Sequence, residues 1–75
     1  MDLAEIKKRL VEISTCFYQQ RIPEGMEMFP NLISLIINIP EFSSAIISLM
    51  NAVEKKDYVL AADICFYEMA EKIEV

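Results

Sequence analysis

The chain has 75 residues, a formal charge of −5 at pH 7, and 55% hydrophobic residues. An acidic chain offers no basic stripe for nucleic acid and is repelled by anionic lipid, so both are set aside as partners. A single domain this short buries only about 60% of its unfolded surface, yet its apolar content exceeds the roughly 45–50% of an average soluble domain. Another chain is therefore expected to cover part of its surface.

One glycine and three prolines punctuate the sequence, and four helices are predicted between them. The first covers about 2–20, where Leu3, Ile6, Leu10, Ile13 and Phe17 form one apolar stripe, widened by Ala4, Val11 and Tyr18. Asp2 and Glu5 lie in its first turn, where the helix dipole favours negative charge. A break containing Pro23 and Gly25 follows, with Gly25 expected in a turn or a loosely wound start. The second helix is predicted over 24–38 through Met26, Phe29, Ile33 and Ile36, flanked by Met28, Leu32, Leu35 and Ile39. Pro30 would bend this helix from within, or sit in its first turn if the helix began near Phe29; the early start is preferred.

Pro40 pushes Ile39 out of helical geometry and opens the third helix, about 41–55, with Phe42, Ile46, Leu49 and Val53 as its stripe. Asp57 is the expected N-cap of the fourth, about 58–73, whose face is read as Val59, Ala62, Phe66, Met69 and Ile73, with Tyr58, Ala61 and Cys65 flanking. No segment alternates with the period of a strand. The expected fold is one all-α domain, residues 1–75, of four short helices in two antiparallel hairpins. Short connections further predict that consecutive helices are neighbours.

Catalytic chemistry has little material here. The chain has no histidine, no glycine-rich phosphate loop and no paired-cysteine metal spacing. Cys16 and Cys65 lie within helical patterns and read as reduced core thiols in a cytoplasmic protein. The first ten residues mix acidic, basic and apolar types, unlike a signal peptide. Cys-Phe-Tyr occurs at 16–18 and 65–67, but the surrounding residues do not repeat. No catalytic, cofactor-binding or metal-binding residue is assigned, and no enzyme activity is expected.

Two polar features remain. Asp63 and Tyr67 are four apart on the fourth helix, within hydrogen-bonding reach of each other; with Glu68 they form a candidate anchor for a partner. The second feature is an absence: from Met28 to Val53 the only charged residue is Glu41. Asn31, Ser34, Asn38, Ser44, Ser48 and Asn51 occupy polar positions that Lys and Glu would normally fill, and Ile37, Ile47 and Met50 lie off the main stripes. Interface cores are depleted in charge in the same way. Asn31, Ser34, Ile37, Asn38, Ser44, Ile47, Ser48 and Asn51 are therefore the candidate partner surface, for a homodimer or an amphipathic helix of another protein. The plainer alternative makes these helices the buried centre of a monomeric bundle. A membrane hairpin is disfavoured, because each segment falls short of the roughly 20 residues needed to span.

Residues 54–68, from Glu54-Lys55-Lys56-Asp57-Tyr58 through Ala62-Asp63 to Tyr67-Glu68, resemble a segment of small helical proteins associated with flagellar gene clusters of Gram-positive bacteria. Glu24-Gly25, opening a helix after a long first one, resembles the same group. The resemblance covers about a quarter of the chain and implies an accessory or chaperone-like protein that binds other proteins. Asp57, Tyr58, Asp63, Tyr67 and Glu68 match its pattern, whereas Pro30 and the uncharged middle helices have no counterpart in it.

The leading expectation is thus a cytoplasmic, self-associating interaction module. The alternatives are a subunit of an obligate hetero-complex and a binder of small apolar ligands in a pocket lined by Met26, Phe29, Phe66 and Met69.

Overall fold

The computed structural model describes residues 2–74, and its four helices lie close to the predicted ones. Helix α1 spans Leu3–Tyr18, α2 Ile22–Ile36, and α3 Ser43–Glu54. The fourth helix starts as the α-helical segment α4, Tyr58–Asp63, continues through a π-helical turn, Ile64–Met69, and ends in a 3-10 turn, Ala70–Lys72.

Local chemistry sets most of these limits. The Asp2 carboxylate accepts the Glu5 N–H at 2.9 Å and starts α1, and the Asp57 carboxylate accepts the Leu60 N–H at 3.2 Å and starts α4. The ends of α1 and α3 share one geometry. Gln20 and Lys56 adopt φ of 63° and 59°. The next N–H of each, Arg21 and Asp57, reaches back to Cys16 O and Ala52 O, both at 2.8 Å. These are Schellman caps, built without the glycine that usually occupies the left-handed position. They stop α1 two residues before the predicted boundary.

Pro30 lies inside α2, as the early start requires, and Pro23 stands in that helix's first turn, where its missing N–H costs nothing. Gly25 is also helical and buried, not in a turn. A Cβ on it would stand 2.5 Å from Phe17 Cε1 and 3.3 Å from Cys16 Cβ. Glycine is required there because α1 and α2 approach closely. Ile39 is extended, with φ −98° and ψ 104°, as the following proline dictates, and Pro40–Phe42 form a 3-10 turn leading directly into α3.

Helix α1 organises the packing. It contacts α2 and the whole of the fourth helix, while α3 packs on the fourth helix. The two hairpins are therefore α1 with α2 and α3 with the fourth helix. The middle pair departs from expectation: α2 and α3 approach each other only sparsely. The extended Ile39 and Pro40 redirect the chain between them, so α3 settles on the fourth helix. Leu10, Ile13, Phe17, Leu32, Ile36, Leu49, Ile64, Cys65 and Met69 fill the common core. Ser14 joins them, its hydroxyl satisfied by Leu10 O at 2.8 Å.

The fourth helix buries most of the predicted face and departs from it at Val59 and Phe66. Val59 is exposed and Phe66 only half-buried, while Ala61, Ala62, Ile64, Cys65, Met69, Ala70 and Ile73 are buried. Continuing an α-helical period from Ala61 and Cys65 would turn Glu68 and Lys72 inward. The wider π turn shifts the register by one residue, so that Met69 and Ile73 enter the core in their place. The Lys7 ammonium then ties this end to α1 by donating to Ile73 O at 3.2 Å.

Candidate functional site

All eight residues of the candidate partner surface are exposed. Ser44, Ile47, Ser48 and Asn51 follow the i, i+3, i+4, i+7 pattern and form one stripe on the outer side of α3. Ile47 is 64% exposed and Met50, beside the stripe, 51%. The inner side of the same helix buries Ala45, Ile46, Leu49 and Ala52. Up to Glu54 at its end, helix α3 is thus apolar toward the core and uncharged toward solvent.

The α2 half of the surface is less regular. Asn31 and Ser34 lie on the helix, and the Ser34 hydroxyl donates to Pro30 O at 3.1 Å. Ile37 and Asn38 stand beyond its last residue, in the connection to α3, where Ile37 is 61% exposed. Because α2 and α3 scarcely touch, Asn31 and Ser34 lie on a helix that does not pack on the α3 stripe. Both middle helices are also half-exposed, not the buried centre of the bundle.

The polar anchor on the fourth helix is arranged differently from the expected Asp63–Tyr67 pair. The Asp63 carboxylate accepts a hydrogen bond from the Tyr18 hydroxyl, which reaches across from α1. Desolvation of that hydroxyl, and then the bond to Asp63 and the nearby Tyr67 and Cys65, push Tyr18 up to about 12. Tyr67 is exposed with its ring edge toward Phe66, at 5.0 Å between centroids, and Glu68 is exposed. Sequence spacing could not have identified Tyr18 as the partner, because the bond bridges residues 45 positions apart.

Cys16 and Cys65 are free, buried thiols, and burial pushes Cys65 up to about 12, away from thiolate chemistry. Among the described residues no group of three or more His, Cys, Asp or Glu side chains could hold a metal ion. No helix is long and apolar enough to cross a membrane. Of the four residues expected to line a ligand pocket, Phe29 and Met69 are buried in the core.

One open groove lies at the end of the bundle. Leu3, Ile39, Phe42 and Ile73 provide its apolar surface, with Glu41, Glu68, Lys72 and Glu74 around it, and its volume is about 640 Å³.

The arrangement is that of a small helical bundle whose α3 presents an uncharged outer stripe, while the outer side of α2 carries Glu24 and Glu27 in its N-terminal half. Comparison of the chain with protein-family models, with curated proteins and with solved structures yields no match.

Proposed function

We propose that this protein is a non-enzymatic interaction module that self-associates through the uncharged outer stripe of α3 and the uncharged C-terminal half of α2. The observation that carries this reading is the outer stripe of α3. A helix otherwise well packed on the core presents Ile47 and Met50 to solvent, among small uncharged side chains. Electrostatics favours a second copy as the occupant. Two copies, each of charge −5, repel one another wherever their acidic faces meet. Residues 28–53 hold one charged side chain, Glu41, so this region brings two copies together at least electrostatic cost. A two-fold pairing then sets each stripe against its symmetry mate.

Two free, buried thiols accord with a reducing cytoplasmic setting. The resemblance of residues 54–68 to flagellar accessory proteins accords with a chaperone-like role, in which the same surface receives an amphipathic helix of a client. The test is the Ser48→Arg variant. Ser48 is exposed, so the change leaves the fold intact while placing two like charges across the symmetric contact. Dissociation of the wild-type assembly by this variant supports the proposal, and a wild-type protein that is monomeric at all concentrations refutes it.

A further inference from the structure

We infer that the groove at the end of the bundle docks an apolar segment of a partner protein flanked by lysine or arginine. The groove is separate from the α3 stripe. It joins three distant parts of the chain: Leu3 at the start of α1, Ile39 and Phe42 in the α2–α3 connection, and Ile73 at the end of the fourth helix. Leu3 is 48% exposed within it, an apolar surface without a cover.

The charge around this surface selects the occupant. Glu41, Glu68 and Glu74 outnumber Lys72. Among the described residues the ion pairs are Arg9–Glu5 and Arg21–Glu24, so no rim carboxylate is ion-paired, and the Lys7 ammonium at this end donates to Ile73 O at 3.2 Å instead. A partner laying apolar side chains on Leu3 and Ile39, over the buried Phe42 and Ile73 beneath them, brings its flanking residues against these carboxylates. Basic flanks are attracted there and acidic flanks rejected. The groove is open to solvent and does not enclose its contents, which suits a chain segment better than a small molecule that must be mostly buried.

The π turn produces this arrangement. With an uninterrupted α-helical period, Glu68 and Lys72 would share the core-facing side with Ala61 and Cys65. The inserted step turns both outward to the mouth of the groove and sends Met69 and Ile73 inward. Turns of this kind recur at functional sites.

The test uses the full chain and three labelled synthetic amphipathic peptides of about fifteen residues, long enough for one marginal helix. The peptides share one leucine face and differ only in carrying Lys, Gln or Glu at the polar positions. Fluorescence anisotropy is expected to rank binding Lys over Gln over Glu. The Glu41→Lys/Glu68→Lys variant should weaken the Lys peptide by roughly tenfold or more, as reversal of two rim charges implies. The Glu12→Lys/Glu27→Lys variant has the same net charge, is altered only at exposed positions away from the groove, and should bind within about twofold of wild type. On the wild-type protein, the Lys peptide should shift the methyl resonances of Leu3, Ile39 and Ile73 and leave Ile47 unmoved.

Equal losses in the two double variants would reduce the binding to bulk charge attraction and overturn the inference. Equal affinity for the Gln and Lys peptides would overturn the role of the rim. A change in oligomer mass caused by Glu41→Lys/Glu68→Lys would make the occupant a second copy, and would likewise refute it. None of these results depends on whether Ser48→Arg dissociates the protein, so the two proposals stand or fall separately.

Discussion

Replacing Gly25 by alanine tests the closest approach in the fold. An ideal Cβ at this position stands 2.5 Å from Phe17 Cε1 and 2.8 Å from Cδ1, about 1 Å inside the usual 3.5–4.0 Å carbon contact. The Phe17 ring has little room to yield. It is fully buried and lies 5.4 Å, centroid to centroid, from Tyr58. Overpacking of this kind costs about 1–3 kcal/mol, and the better helix propensity of alanine returns up to about 1 kcal/mol. With the upper part of that range, about 2–3 kcal/mol, for a contact this short, the expected net loss is about 1–2 kcal/mol. That loss lowers the melting temperature of a domain this size by roughly 4–16 °C. Thermal unfolding followed by circular dichroism measures it. The same substitution should cost less in a Phe17→Leu background, because the two sites are in contact and do not add. An unchanged or higher melting temperature, or an equal cost in both backgrounds, would refute the claim that Gly25 is retained for interhelical space.

Three further outcomes are expected. Gln20→Gly and Lys56→Gly, at the two left-handed caps, should each stabilise the fold by about 0.5–1 kcal/mol, measured by urea denaturation. In a spectrophotometric titration a tyrosine step near pH 12 is expected from Tyr18, and Tyr18→Phe should remove it. Because the folded pKa lies above the unfolded one, the associated stability is complete below about pH 10 and is lost as pH rises toward about 12. Cys65 should resist a thiol-specific disulfide reagent at pH 8 in the native protein and react at once on unfolding, as a buried neutral thiol must.

The helices were legible because their signals are local. Stripes of period 3.6, three prolines and the Asp57 cap place every element within a few residues, while Asp2, read as a first-turn residue, is the N-cap of α1. Departures arise where tertiary packing decides. On the fourth helix Ala62, Met69 and Ile73 and the flanking Ala61 and Cys65 are buried as their spacing predicts. Val59 is exposed and Phe66 only half-buried, because Ala61 and Cys65 lead the contact and the π turn changes the register after them. Gly25 has the same composition signal in a turn as in a close helix crossing, and only the distance to Phe17 separates the two. The candidate surface was legible as missing charge. That its two helices do not pack on each other was not, because the redirection at Ile39 and Pro40 sets α3 against the fourth helix instead of α2.

The central claim is self-association through an uncharged helical face, and sedimentation equilibrium over a range of protein concentrations tests it most directly. The wild-type chain should approach at least twice its 8.6 kDa mass as concentration rises, and Ser48→Arg should return it to 8.6 kDa with its helical spectrum unchanged. A wild-type mass that stays at 8.6 kDa throughout, or an assembly that Ser48→Arg leaves intact, would contradict the account.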